Sequence, residues 1–238
     1  MTAADISISN MCVERGTFTL RIDELHIAPH EVFAILGTTG SGKTVLMESI
    51  AGVFNPACGC VCIDGVPVHE IEVSQRHIGM LYQDYALFPH MSVYENIAYG
   101  LRRHKVAEDE IDRRVQSMLE MFNIERIKDR FPGVISGGEA QRTALARALI
   151  LQPRVLLLDE PFSALDPVTK AHMYDMFRAI KSEFDCTIVL VTHDFNEAQV
   201  LADRVGVVLD GELQLVCTSQ DLFVREHNDK TKRFLGLD

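Results

Sequence analysis

Gly37-Thr38-Thr39-Gly40-Ser41-Gly42-Lys43-Thr44 decides how the rest of the chain is read. A glycine, four residues, then glycine, lysine and a hydroxyl residue is the spacing of a phosphate-binding loop. The negative oxygens of a polyphosphate are best met by converging backbone N–H groups. Glycines let the chain turn tightly and approach without a Cβ in the way. Lys43 would bring a point charge to the outer phosphates, and Thr44 a hydroxyl to Mg²⁺. The flanks fit this reading. Val32-Phe33-Ala34-Ile35-Leu36 is a short apolar run expected to be a buried strand. Val45 to Ala51 is expected to be a helix stopped by Gly52, and its N-terminus would lend partial positive charge to the phosphates. The stretch predicts binding of a nucleoside triphosphate.

The chain has 238 residues, enough for one large α/β domain with an inserted subdomain. Hydrophobic residues make up 47% and charged residues 24%, a globular composition. A formal net charge of −11 argues against sequence-independent nucleic-acid binding, which needs a basic stripe to displace counterions. No run of about 18 apolar residues is present. Met1-Thr2-Ala3-Ala4-Asp5 lacks the basic lead and apolar core of a signal peptide. A cytoplasmic protein with free thiols is expected. Cys58, Cys60 and Cys62 alternate, so a strand there turns all three to one side. No nearby His or Cys pair completes a metal set at familiar spacing, and they are read as small strand hydrophobes.

Ile6-Ser7-Ile8 and Phe18-Thr19-Leu20-Arg21-Ile22 predict an N-terminal β-rich portion. Cys60 to Ile63 followed by Asp64-Gly65 predicts a hairpin strand, and Arg76 to Tyr82 another strand stopping at Gln83. Residues 84–151 carry no strong strand pattern. Ile111, Val115, Met118, Leu119 and Phe122 fall at helical spacing across Glu108 to Phe122, and Glu139 to Leu151 is a second good helix. Val155 to Leu158 and Thr187 to Val191 are continuous apolar runs, as expected for strands covered on both faces. A helix is expected between them from about Val168 to Phe184. Strands at Val205 to Leu209 and Leu213 to Val216, a helix from Ser219 to about Glu226, and a polar tail complete the reading. The chain is thus expected to be one domain: a catalytic core with a β portion at 1–83 and 152–238, and a helical insert at 84–151.

The strand at Val155 ends in Asp159-Glu160-Pro161. A carboxylate at the end of a central strand beside a phosphate loop is where Mg²⁺ would be held. Glu160, next in the chain, could orient or deprotonate an attacking water. Ile135-Ser136-Gly137-Gly138-Glu139-Ala140-Gln141-Arg142 reads locally as a helix start, with Ser136 as cap.

The phosphate loop, Ser136-Gly137-Gly138 with Gln141-Arg142, and Asp159-Glu160 together resemble ATP-binding cassette (ABC) ATPases over essentially the whole chain. Gln83 in Tyr82-Gln83-Asp84 resembles that family's Q-loop, Ser163-Ala164-Leu165-Asp166 its D-loop, and His193 in Val191-Thr192-His193-Asp194 its switch histidine. The resemblance implies a RecA-like P-loop NTPase core with an N-terminal antiparallel β portion and an inserted α-helical subdomain. It implies that ATP and Mg²⁺ are the cofactors and that ATP is hydrolysed. Ser136, Gly137 and Gly138 would touch the γ-phosphate held by a second copy, the two copies closing head to tail over two ATP molecules. Gln83 would sense Mg²⁺ and the attacking water, so that Thr44, Gln83 and Asp159 form the metal set. His193 would hydrogen-bond the γ-phosphate, and Asp166 would couple the two sites.

Three departures from the family pattern stand out. Ile135 and Glu139 occupy positions where members often carry Leu and Gln, and the Glu139 carboxylate is expected to point away from phosphate. Arg15 stands where an adenine-stacking aromatic is usual. A guanidinium plane can stack on a base, and Phe18 is the nearest aromatic. Thr38-Thr39 replaces the commoner Pro-Ser, which should change little.

The apolar stretch Tyr85 to Ile97 suits a core or, by resemblance, a groove for a permease helix. It resembles importers of the molybdate, tungstate, sulfate, polyamine and sugar group, and Arg15 to Leu20 looks most like molybdate or tungstate cassettes. The implied protein is the ATPase subunit of an importer at the cytoplasmic face of the cell membrane. Its partners would be integral membrane permeases and, indirectly, an extracytoplasmic substrate-binding protein. The chain ends near Phe234, so the extra C-terminal β domain of some such cassettes is expected to be missing. The alternatives are a soluble ABC ATPase of DNA repair or translation, disfavoured by one short acidic cassette, and the cassette of an export system.

Overall fold

The computed structural model describes residues 2–163 and 165–237. Ala164, within the stretch that resembles the D-loop, and the terminal Met1 and Asp238 lie outside the described residues. The strands are β1 (Ile6–Arg15), β2 (Phe18–Ile27), β3 (Val32–Leu36), β4 (Cys58–Ile63), β5 (Val66–Pro67), β6 (Ile78–Leu81), β7 (Val155–Asp159), β8 (Thr187–Val191), β9 (Arg204–Leu209) and β10 (Glu212–Thr218). The helices are α1 (Lys43–Ile50), α2 (Val93–Arg103), α3 (Glu108–Met121), α4 (Gly137–Leu149), α5 (Pro167–Glu183), α6 (Phe195–Leu201) and α7 (Asp229–Leu235).

All ten strands join one sheet in the order β5-β4-β1-β2-β10-β9-β3-β8-β7-β6. Strands β6, β7, β8, β3 and β9 run parallel, and β1, β2, β4 and β5 form the antiparallel wing. The parallel strands read as unbroken apolar runs because both faces are covered. On β3, Val32, Ala34 and Leu36 pack into the core with α2 to α7, while Phe33 and Ile35 pack into a second core with α1 and the antiparallel wing. Leu156 and Leu158 against Val155 and Leu157 on β7, and Ile188 and Leu190 against Val189 and Val191 on β8, divide the same way. The P-loop α/β class expected from the sequence is the fold observed.

Helices α2, α3 and α4 lie between β6 and β7 in the chain and share the first core. The sequence reading places α3 and α4 but not α2, although Val93, Ile97 and Leu101 recur at helical spacing and are buried on one face of it. Ser92 marks where α2 begins. Its hydroxyl accepts from Glu95 N, and Glu95 accepts from Ser92 N, a capping box. Buried Asn96 then holds the preceding turn. Its side chain accepts from Phe88 N at 2.9 Å and donates to the carbonyls of Phe88, Met91 and Ser92.

Two expectations are corrected. Ser219 to Glu226 is a set of turns, not a helix: only Leu222 has a fully buried apolar side chain, Val224 is 82% exposed, and Thr218 draws Asp221 back with 2.7 Å and 3.2 Å contacts. The last helix is instead α7, in the supposed polar tail, capped by Asn228 and closed by left-handed Gly236. Cys58, Cys60 and Cys62 do share a side, but it is the outer one; Val61 and Ile63 face the core. Of these strand residues Cys58 is exposed, and Cys60 and Cys62 are half-buried. Among the described residues no helix is long and apolar enough to cross a membrane.

Replacing Asn96 with Ala would leave the Phe88 N–H and the Met91 carbonyl to find other partners, while the Phe88 and Ser92 carbonyls keep their backbone donors. An unpaired buried group costs about 1–3 kcal/mol, and each 1 kcal/mol shifts a domain of this size by about 2–4 °C. Thermal unfolding of Asn96→Ala is therefore expected to fall by about 4–8 °C, and an unchanged melting temperature would refute the stapling role.

Candidate functional site

Parallel pairing sets the carboxyl ends of the central strands side by side. Leu81 pairs Leu158, Asp159 pairs Val191, Ile35 pairs Val191 and Leu36 pairs Val207. The loops leaving β6, β7, β8 and β3 therefore emerge on one edge, where open α/β sheets bind ligands. These loops carry Gln83, Glu160, His193 and Gly37 respectively.

Gly37 to Gly42 turn β3 into α1. At Gly37 an added Cβ would collide with the Val208 carbonyl oxygen and Ser41 Oγ, so glycine is required by close approach. Gly42, the N-cap of α1, has φ 106° and no side-chain cap, and no acidic residue follows in the first turn. The first N–H groups of α1 are thus left for an anion. Ser41 Oγ is buried with no partner among the described residues. Lys43 Nζ donates to the carbonyls of Gly37 and Thr38, both at 2.9 Å. A bare helix start, an orphaned hydroxyl and a tethered ammonium fit a polyphosphate.

A cleft of about 260 Å³ opens over this loop, lined by Phe18, Thr39, Gly40, Gly42, Lys43, Thr44, Val45, Gln83, Asp159 and Glu160. Thr44 Oγ1 donates to Asp159 Oδ2 at 3.1 Å. Burial raises the Asp159 pKa, with nearby Glu160 adding to the rise and the Thr44 hydrogen bond and Lys43 opposing it. Burial also lowers the Lys43 pKa, against the pull of Glu160 and Asp159. A hydroxyl and a carboxylate oxygen side by side are the hard donors that Mg²⁺ selects.

Glu160 sits at φ 45°, a left-handed backbone that costs a non-glycine residue about 1–3 kcal/mol. Its N–H donates to Val191 O at 2.9 Å, and its Oε2 meets His193 Nδ1 at 3.1 Å. The strained turn aims the carboxylate at the loop after β8. Gln83 is followed by two more left-handed residues, Tyr85 and Ala86. Arg147 on α4 holds their carbonyls at 3.0 Å and 2.8 Å and lies over the Phe88 ring. Sequence reasoning missed Arg147; an arginine on the otherwise small-residue face of α4 is the only signal.

Not every residue picked from the sequence lies in the cleft. Ser136, Gly137 and Gly138 are not among its lining residues. Ser136 caps α4 and is itself engaged: Glu139 Oε2 accepts from Ser136 N and Ser136 Oγ, both at 2.9 Å, and Arg126 reaches Glu139 Oε1 at 3.0 Å. These contacts, led by the Ser136 backbone bond, hold the Glu139 pKa below the ordinary carboxylate value. Asp166 caps α5 through Val168 N and Thr169 N, each at 3.1 Å. Arg15 lies over Phe54, its guanidinium carbon 4.2 Å from the ring centroid, while Phe18 lines the cleft and packs against Gly42.

A family model described as "ABC transporter" matches residues 20–163. The chain belongs to the ABC transporter family. This ABC ATPase is 46% identical to a molybdate/tungstate import ATP-binding protein of Archaeoglobus fulgidus, over 93% of the chain and 90% of the relative. It is 39% identical to a sulfate/thiosulfate import ATP-binding protein of Rhodopseudomonas palustris, over 97% of the chain and 68% of the relative. Its fold matches, with TM-score 0.79 and 28% identity over 90% of this chain and 98% of the other, an ATP-binding cassette solved as a dimer in a post-hydrolysis state with ADP and Pi. The protein binds ATP and is an ATP hydrolase.

The charge of Glu139 has a measurable consequence. Its depressed folded pKa contributes stability above the ordinary value of 4.5, lost as pH falls through the lower folded value. Glu139→Ala is expected to cost about 1 kcal/mol at pH 7 through loss of the capping box. In paired melts most of that deficit should disappear under acid, and a constant deficit at every pH would contradict this account.

Proposed function

We propose that this chain is the ATP-hydrolysing subunit of an importer, acting as a head-to-tail pair beneath two integral membrane permease subunits at the cytoplasmic face of the membrane. The observation that carries the reading is the split of the chemistry. Lys43, Thr44, Gln83, Asp159 and Glu160 line one cleft, whereas the capped glycine start of α4 does not. A second copy is needed to bring such a helix start over the phosphates. The dimeric neighbour and the import names of the relatives support this arrangement. Residues 1–83 with 152–238 form the catalytic core in this reading, and 84–151 the helical subdomain.

The phosphates lie on the N–H groups of Gly37 to Thr44, with Lys43 released from its two carbonyls to meet the outer oxygens. Thr44, Asp159 and Gln83 would hold Mg²⁺, which would supply positive charge to offset that of the phosphates. Glu160 takes the proton of the attacking water, and His193, already 3.1 Å from Glu160, donates to the γ-phosphate. Arg15, backed by Phe54, offers a flat cation to the adenine, with Phe18 nearer the phosphates. Ser136, Gly137 and Gly138 of the second copy close the site, and Asp166 links the two halves. The Tyr85 to Ile97 segment, fixed by Arg147 and Asn96, takes the permease contact. The cargo is an oxyanion such as molybdate or tungstate, delivered by an extracytoplasmic binding protein. The sulfate relative supports the oxyanion class.

Glu160→Gln keeps shape but removes the proton acceptor. It is expected to lower kcat about 10²–10⁴-fold while ATP binding persists and an ATP-dependent dimer accumulates on size-exclusion chromatography. Unchanged turnover would overturn the role of Glu160. Lys43→Ala is expected to weaken ATP binding in a fluorescent-nucleotide titration, and normal affinity would remove Lys43 from the site. Co-purification from a membrane fraction with polytopic subunits is the expected result for transport, and recovery with nucleic acid or ribosomes would refute it.

A further inference from the structure

His193 touches Glu160, but its ring is 59% exposed, and among the described residues no second side-chain hydrogen bond anchors it. What holds its backbone is a partly buried charge cluster behind it, with Glu197 at its inner end. Thr192 and Glu197 are each only 2% exposed. Thr192 Oγ1 donates to Glu197 Oε2 and accepts from Asp194 N at 3.0 Å, so the residues on both sides of His193 are tied to one hydroxyl or its partner. Thr192 N is also fixed to Ile35 O of β3 at 3.1 Å. Asp194 in turn caps α6 through Asn196 N and Glu197 N.

The cluster has one cation. Lys170 Nζ lies 2.6 Å from Asp194 Oδ2 and 2.6 Å from Glu197 Oε1. Lys170 belongs to α5, whose first turn begins at Asp166, and Lys170 N donates to Asp166 O at 2.9 Å. A path of contacts thus runs from Asp166 through Lys170 to Asp194 and Glu197, and from there to the loop whose His193 meets Glu160. Stability alone is a poor reason for such a cluster, because a buried ion pair is often no better than apolar residues of the same size. What an ion pair with two acceptors does supply is fixed geometry.

We propose that Lys170 is a positioning residue for ATP hydrolysis: by bridging Asp194 and Glu197 it couples the Asp166 turn of α5 to the loop that presents His193. The coupling rests on the roles assigned above to His193 and Glu160. When the Asp166 turn shifts, the movement passes along a rigid ion pair to the histidine instead of being absorbed by a flexible loop. Lys170 makes no contact with nucleotide; its effect on the reaction passes through His193.

The full-length chain tests this with steady-state ATPase assays, nucleotide titration and thermal melts. Lys170→Met is expected to lower kcat about tenfold with the KM and Kd for ATP changed less than twofold. Lys170→Arg, which can still span both carboxylates, should recover most of kcat. Placed on a His193→Ala background, Lys170→Met should change kcat less than twofold, because residues acting through one group are not additive. Lys170→Met leaves Glu197 as a buried unpaired charge. Lys170→Met/Glu197→Gln removes both charges, keeps an acceptor for Thr192, and should melt near the wild type yet retain the low kcat. Wild-type kcat in either variant, an additive loss on the His193→Ala background, or no recovery with Lys170→Arg would overturn the proposal. If His193→Ala itself leaves kcat unchanged, the assignment of His193 fails instead, so the two failures are distinguishable.

Discussion

Parallel pairing of β7, β8 and β3 is the constraint on which everything else depends. Parallel strands must be joined by crossovers, so each returns to the same edge before its loop departs. That alone puts the ends of four separate segments beside one another: Leu36, Leu81, Asp159 and Val191. The register is held by side chains buried on both faces, where a one-residue slip would exchange the two cores on every strand. A loop carrying charge can then be irregular and strained, as at Glu160, because its anchor points are among the best-packed residues of the molecule.

The charges around the phosphate loop follow a single logic. Lys43, Asp159 and Glu160 are drawn together out of water, and burial pushes the first two away from their ordinary pKa values in the direction of neutrality. Neither has an ion-pair partner among the described residues: Lys43 leans on two carbonyls, and Asp159 on the Thr44 hydroxyl. A polyphosphate with a divalent cation would satisfy both at once. The same reasoning separates this cluster from Lys170, Asp194 and Glu197, which satisfy one another within the chain and so read as framework.

Legibility followed the length scale of the signal. Val32 to Leu36 and Thr187 to Val191 coincide with strands β3 and β8 because unbroken apolar runs have few alternatives. Helix α3 was visible because its charged face alternates cleanly with Ile111, Val115 and Leu119. Helix α2 is written as plainly, in Val93, Ile97 and Leu101 and in the Ser92–Glu95 cap spacing, but the apolar run from Tyr85 that leads into it masks where its period begins. The C-terminal helix expected at Ser219 to Glu226 lies further on, because the Asn228 cap and the Gly236 stop decide where the helix forms. In the site, motif spacing picked out Lys43, Thr44, Asp159 and Glu160. Phe54 and Arg147 escaped because each works through a partner distant in sequence: Arg15 in one case, the Tyr85 and Ala86 carbonyls in the other.

The start of α4 shows how a departure from the family pattern can be absorbed. A carboxylate at Glu139 would repel a phosphate approaching a free helix N-terminus. In this chain it folds back, where Ser136 N, Ser136 Oγ and Arg126 take up its oxygens. The Ser136 hydroxyl hydrogen is thereby committed, and Glu139 N is bonded to Ser136 Oγ. The donors left at this end are the N–H groups of Gly137 and Gly138, which the first turn of a helix cannot use internally. In the proposed pair, the helix start would therefore meet the partner's γ-phosphate through backbone rather than through a serine hydroxyl. Neither glycine has a side chain to obstruct that approach, and an added Cβ at Gly137 would meet nothing within its own chain. Within its own chain, glycine is not required there; in the proposed pair, the space in front of it belongs to the second copy.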